Sequence, residues 1–271
     1  MTEIENQYTQ LAKEIRKLSL QIVHNANSSH IGGAFSMADI LAVLYTDVLN
    51  ISPSTVDSDI RDRFILSKGH CCASLYAVLA LKGYFSKQEL LNDYGKDGTA
   101  YFTHASHYLP GVETSSGSLG HGLPVSCGIA LGAQKLKLPF RVYCLLGDGE
   151  MDEGSNWESI LFAAQNKLDN LCIIIDYNKI QSLGHTNEII NLEPFVDKFK
   201  AFNWNVINID GHSYSQIRKA FESAEKRKKA PTAIIANTIK GKSVSFMEGD
   251  LKWHYKSPNK EQLEQALIEL R

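Results

Sequence analysis

Long apolar runs are missing from this sequence. Nowhere do 18 consecutive apolar residues occur, so no membrane-spanning helix is expected. Net charge is nearly missing too: 28 lysines and arginines face 30 aspartates and glutamates, and a formal charge of −2 gives no electrostatic case for nucleic acid or an anionic membrane as partner. Cysteines are few and odd in number, at Cys71, Cys72, Cys127, Cys144 and Cys172. Three sit in apolar stretches and none shows metal-type spacing, so reduced core thiols are expected. The N-terminal stretch MTEIENQYTQLAKEIRK lacks the apolar centre of a signal peptide, and the expected location is the cytoplasm. Internal repeats, low-complexity segments and proline-rich linkers are absent as well. What remains is ordinary globular composition, 44% hydrophobic and 21% charged over 271 residues, enough for one large domain or two modest ones.

Tyr8, Leu11, Ala12, Ile15, Leu18, Ile22 and Val23 follow helical spacing. A second helix is expected to start at Ser36, with its hydroxyl capping MADILAVLYTDVL. Arg61 to Leu66 reads as a short strand and Cys72 to Leu81 as a helix. Residues 96–122 are rich in Gly, Ser, Thr and His and read as a long loop, a length that often signals function. LPVSCGIALGAQKL reads as a buried helix rich in small residues. The second half alternates. Strands are expected at Val142–Leu146, Leu171–Asp176, WNVINI and Thr232–Thr238, with helices at Trp157–Asn166 and Tyr214–Lys226 between them. Continuous apolar strands alternating with helices indicate an α/β fold, a parallel sheet flanked by helices in three layers. A single domain over residues 1–271 with a helical lead-in is the simplest organisation.

The chemistry concentrates at LLGDGEMDEGSNWESI. Here an apolar strand ends in Gly147-Asp148-Gly149, which leaves a carboxylate at the sheet's carboxyl edge, where α/β proteins bind ligands. Read alone, this is a strand-to-helix turn with Asp148 as cap. After Gly149 come 28 residues and then Asn178, again at the end of an apolar strand, in IIIDYNKI. Read alone, Asn178 is a turn residue. Together they place two hard oxygen ligands at two strand ends, which suits Mg²⁺ completed by phosphate and water oxygens. Gly149 would allow backbone to come close to a phosphate.

These residues resemble the cofactor signature of the thiamine-diphosphate enzymes of the transketolase family. The resemblance continues in family order through NANSSHIGGAFSMADIL, RDRFILSKGHCCASLYAVL, LPGVETSSGSLGHGL, NIDGHSYSQI and NTIKGKSVSFMEGDLKWHYKSP, and covers nearly the whole chain. It implies the thiamine-diphosphate-binding fold, with thiamine diphosphate and Mg²⁺ as cofactors, Ca²⁺ or Mn²⁺ being possible substitutes for the metal. It implies metal binding by Asp148, Asn178 and the carbonyl of Ile180. Gly147, Gly149, His70 and His254 would surround the diphosphate, and Gly117 and Leu119 would give backbone contacts to the aminopyrimidine. His30, His104 and His254 would face thiazolium and substrate, and Glu153 would link paired active sites at an interface between subunits. Histidine titrates near neutrality and can relay hydroxyl protons. His107 and His121 are weaker candidates, and His24, His185 and His212 read as structural or peripheral.

Ser29, Ile31, His121 and Ser182 depart from the long enzymes and look more like short, split members of the family. The resemblance further implies that the pyrimidine-binding domain, with the glutamate that activates the cofactor, lies on a separate C-terminal subunit. The expected assembly is a heterotetramer acting on sugar phosphates. The expected reaction is transfer of a two-carbon ketol unit from a ketose phosphate to an aldose. Rival readings are a deoxyxylulose-phosphate-synthase-like or 2-oxoacid dehydrogenase subunit, and a scaffold that keeps the fold. A nucleotide-binding dehydrogenase is disfavoured because no G-x-G-x-x-G follows a strand.

Overall fold

The computed structural model describes residues 2–271. Thr2 opens the first helix with a capping box: its hydroxyl accepts the Glu5 N–H, and Glu5 Oε2 accepts the Thr2 N–H at 2.8 Å. Helix α1 (Glu3–Asn25) then buries Tyr8, Ala12, Ile15, Leu18, Ile22 and Val23, the stripe visible in the sequence. Two short helices follow, α2 (Ile31–Ser36) and α3 (Ala38–Val43), the latter running into a π-turn over Leu44–Val48. Ser36 does not start a helix as expected. It ends α2, fully buried, and its hydroxyl donates to Asp176 Oδ2 at 2.6 Å. A hydroxyl engaged by a buried carboxylate from the sheet is not free to cap its own helix.

The chain continues through β1 (Arg63–Leu66), α4 (Cys72–Leu81) and α5 (Lys87–Asp93). Residues 94–121 form the long loop. Then come α6 (Gly122–Leu136), β2 (Val142–Gly147), α7 (Gly154–Gln165) and β3 (Leu171–Tyr177). After these come α8 (Thr186–Ile189), α9 (Phe195–Ala201), β4 (Asn205–Asp210), α10 (Tyr214–Lys226), β5 (Thr232–Asn237) and α11 (Lys260–Glu269).

The five strands pair in the order β1-β2-β3-β5-β4, all parallel. Every residue of β2 and β3 is buried, as a sheet covered on both faces requires. One core lies between the sheet and α1–α4 and α10, with Leu145, Ile174 and Ile234 facing it. The other lies against α6, α7 and α9 and takes Ile65, Cys144 and Ile175. All five cysteines are buried and free.

Helix α6 departs from the buried helix expected. Leu123, Cys127, Ala130 and Ala133 face the core, but Val125 is 41% exposed, and a side chain at Gly128 or Gly132 would meet nothing within 4 Å. Its small residues therefore serve two faces, and this chain covers only one of them. Leu161 and Phe162 of α7 are exposed beside it. Among the described residues no helix is long and apolar enough to cross a membrane.

Candidate active site

Parallel strands bring their carboxyl ends to one edge, and register fixes which residues meet there. Gly147 pairs with Asp176, and Asp176 with Ala236, so the segments leaving β2, β3 and β5 emerge side by side. They open a cleft of about 230 Å³. It is lined by Gly147, Asp148, Gly149, Asn178 and Ile180 from the strand ends, by His30, His70, His104, Gly117 and Leu119 from the helical side and long loop, and by His254. Glu153 alone of the expected site residues lies elsewhere, exposed at the start of α7.

Asp148 is 3% exposed. Its Oδ1 accepts the Gly149 N–H at 2.8 Å and its Oδ2 accepts the Lys179 N–H, so the capping role and the site role belong to one carboxylate. Burial, followed by the charge of Asp176, pushes its carboxyl up to about 6. A carboxylate so placed is relieved by a cation. Asn178 turns its Oδ1 to the Ile180 N–H at 3.1 Å and its amide nitrogen toward Asp176. The Ile180 carbonyl already accepts a cationic donor, Lys240 Nζ, at 3.1 Å.

Side-chain carboxylate, side-chain amide and backbone carbonyl thus form a hard oxygen set in one cleft, with an ammonium standing on one of its members. These residues fit a small divalent ion whose remaining ligands come from phosphate and water. Among the described residues no group of three or more His, Cys, Asp or Glu could hold a metal alone. At Gly149 the close approach is to protein: a Cβ there would lie 2.6 Å from Gln181 Cβ. At Gly117 a Cβ would lie 2.9 Å from the His104 ring, so glycine lets the loop pass directly over that imidazole.

The histidines form one cluster around His30. Its ring lies 5.0 Å from His70, 5.9 Å from His104 and 5.1 Å from His254, centroid to centroid. The His30 N–H donates to the His254 carbonyl at 2.8 Å, tying the start of α2 to the far end of the chain. Burial, with help from His104, Lys240 and Lys68, draws the His30 imidazolium down to about 4. Burial and Lys240 draw His254 down to about 3. Burial and Lys68 hold His70 well below the ordinary value, and burial alone lowers His104. All four are neutral at pH 7, each with one donor and one acceptor nitrogen. His107 and His121 stand outside the cleft lining, on the exposed surface. His212 bonds Asp39 at 2.7 Å and His24 bonds the Pro258 carbonyl at 2.8 Å, both structural contacts.

Sequence reasoning missed three buried charged groups here. Lys240, 3% exposed, bonds Ile180 O and lies 3.0 Å from His254 Nδ1, which sets a cation beside the metal-type oxygens and the histidines. Glu150 is 2% exposed, and its Oε1 accepts from Ser67 and from Gly120 N while its Oε2 accepts from Gly147 N, tying together the ends of β1 and β2 and the glycine loop. Lys68 pairs with Asp176 and bonds Gly33 O at 3.2 Å. Burial works against that ammonium, and the Asp176 carboxylate outweighs it. A charged residue next to a strand end was the available signal, but the sequence alone does not say that its partner comes from another strand.

The family described as "Transketolase, thiamine diphosphate binding domain" matches residues 7–269. The 6-deoxy-6-sulfo-D-fructose transketolase subunit SqwG of Clostridium sp. (strain MSTE9) is 42% identical over 271 residues, 100% of this chain and 98% of that protein. An apulose-4-phosphate transketolase subunit of Phocaeicola vulgatus is 41% identical over 255 residues, 94% of this chain and 90% of that protein. The solved transketolase from Leishmania mexicana superposes with a TM-score of 0.93 at 30% identity over 100% of this chain, which spans 41% of that one. The strand-end oxygens, the histidine cluster and these likenesses agree: the chain belongs to the transketolase family, as a thiamine-diphosphate-binding domain.

Proposed function

We propose that this chain is the diphosphate-binding subunit of a two-chain, thiamine-diphosphate-dependent transketolase, moving a two-carbon ketol unit from a ketose phosphate to an aldose acceptor. The observation that carries the reading is convergence: residues from six separate segments, 30, 68–70, 104–119, 147–149, 178–180 and 240–254, line one cleft at the carboxyl edge of the sheet. When bound, the cofactor supplies a nucleophilic carbon that takes up and releases the ketol unit.

The chain's own residues do the holding and the proton traffic. Asp148, Asn178 Oδ1 and the Ile180 carbonyl would offer oxygens to Mg²⁺, and Lys240, which bonds that carbonyl, would supply positive charge for the diphosphate. His70 and His254 would donate N–H groups to the same anion, and Gly147 and Gly149 would help to hold it. Gly117 and Leu119 would present backbone to the aminopyrimidine ring. His30, His104 and His254, neutral at pH 7, accept a hydroxyl proton on one nitrogen and donate from the other.

The remaining half of the active site is proposed to lie on a second subunit that carries the pyrimidine-binding domain, in an assembly of two of each chain. Both relatives are themselves named as transketolase subunits, which supports the split. The uncovered face of α6 and α7 next to Glu153 supports contact between chains. Free buried thiols fit a reducing compartment such as the cytoplasm.

Asp148→Ala tests the site. Calorimetry on the assembled complex is expected to give a loss of Mg²⁺-dependent thiamine-diphosphate affinity of about 100-fold or more, with unchanged circular dichroism, since losing a charged ligand removes a metal's main anchor. Unchanged affinity would contradict the assignment.

A further inference from the structure

Tyr255 is the one aromatic side chain in the cleft lining apart from the histidines, and neither metal binding nor proton transfer employs it. Its ring centroid lies 4.7 Å from that of His254 and 5.8 Å from that of His30, both edge-on. It is nevertheless 65% exposed. Several tyrosines of this fold engage their hydroxyls, among them Tyr8 on Asp47, Tyr76 on the His104 carbonyl, Tyr177 on Glu193 and Tyr214 on Asp39, whereas those of Tyr45, Tyr84 and Tyr143 are buried without a partner. The Tyr255 hydroxyl has no such partner among the described residues. An exposed aromatic ring set edge-on to two imidazoles, with a hydroxyl not taken up by the protein, is placed to meet something that enters.

Its perch is rigid. Two residues back, Trp253 is fully buried, and its indole donates to the Phe246 carbonyl at 2.9 Å. His254 is held by its carbonyl to His30 N and by its ring to Lys240. These bonds anchor the chain on which Tyr255 stands, beside the two histidines proposed to handle substrate protons. The Tyr255 ring stands in the same cleft wall as those imidazoles, within reach of a substrate that extends past them. A phenol ring offers an apolar face to the C–H face of a sugar chain and a hydroxyl to its hydroxyls.

We infer that Tyr255 is a specificity-determining residue, which reads the polyhydroxylated carbon chain of the aldose acceptor beyond its aldehyde carbon. The inference rests on the ketol-transfer reading and adds the part of the substrate that this chain recognises.

The test uses the complex of this chain with its pyrimidine-binding partner, as wild type, Tyr255→Phe and Tyr255→Ala. With one ketose phosphate donor, kcat/KM is measured for glycolaldehyde, which has no chain beyond its hydroxymethyl group, and for ribose 5-phosphate. The affinity for thiamine diphosphate and the affinity between the two chains are measured in parallel. Tyr255→Ala is expected to lower kcat/KM for ribose 5-phosphate by about 10- to 100-fold, the range for losing one apolar or hydrogen-bonding contact, while that for glycolaldehyde changes by less than about twofold. Tyr255→Phe falls between, and both affinities hold. An equal change for the two acceptors, or a loss of either affinity that accounts for the change, overturns the inference alone. Absence of ketol transfer to either acceptor by the wild-type complex strikes at the proposed function, and at the inference with it.

Discussion

His30 holds a left-handed backbone, φ 70°, at the position before α2. A non-glycine residue there is strained by about 1–2 kcal/mol, and such strain collects at functional sites. Here the conformation is fixed by the bond from His30 N to the His254 carbonyl and by Ser29 Oγ on Nδ1 at 2.9 Å, and the result is a ring at the centre of the histidine cluster. His70, by contrast, leads into α4 and is stacked on His254 at 5.8 Å. The two positions predict separable losses. His30→Ala is expected to lower turnover by roughly 10²–10⁴-fold, the worth of one placed acid–base group, with little change in cofactor affinity. His70→Ala is expected to weaken cofactor affinity first. Steady-state kinetics combined with calorimetry on the assembled complex checks both, and equal loss of cofactor affinity with no other effect in the two variants would remove the division of roles.

The elements on the helical side are joined by a buried ionic knot, besides the Lys68–Asp176 pair at the sheet edge. Arg16 of α1 bonds both oxygens of Asp39 of α3, at 3.0 and 2.6 Å, and His212 and Tyr214 reach the same carboxylate from the start of α10. Burial raises the cost of ionising Asp39, but Arg16 and His212 outweigh it and hold the carboxyl below its ordinary value. An acid lowered in this way contributes stability that is complete above the ordinary carboxylate range and lost as pH falls through the folded value. Arg16→Met leaves that charge without its main partner. It is expected to destabilise the fold by about 3–5 kcal/mol, read from urea unfolding of the purified chain. A change within about 0.5 kcal/mol, typical of a surface site, would contradict the account.

At this scale the sequence was informative where periodicity speaks. Continuous apolar runs marked the strands, and glycine-rich polarity marked residues 96–122, close to the 94–121 loop observed. It was silent where a polar residue answers to a distant partner. Ser36 has the chemistry of a cap and serves Asp176 instead, 140 residues away in sequence. Lys240, Glu150 and Lys68 look like surface charges in a linear reading and are buried because parallel register gathers their partners at one edge. The sites at Asp148 and Asn178 were legible because both sit at strand ends, where the fold rule says ligands bind.

On the proposed reading, the molecule supplies part of what ketol transfer requires. Its cleft holds metal-type oxygens, a cation and neutral histidines, while the Leishmania mexicana transketolase it superposes on is more than twice as long. The exposed stripe on α6 and α7, Val125, Leu161 and Phe162 with the open glycine positions 128 and 132, is an apolar surface of the kind that marks an interface. On the proposed function, activity and tight cofactor binding arise only when a pyrimidine-binding partner joins this chain. The direct measurement assays ketol transfer from a ketose phosphate to an aldehyde acceptor by this chain, by the partner, and by the mixture, with thiamine-diphosphate affinity measured in each. Neither chain alone is expected to turn over, and mixing is expected to restore transfer and tighten cofactor binding together. Full activity from this chain alone, after mass spectrometry has excluded a copurifying partner, would contradict it.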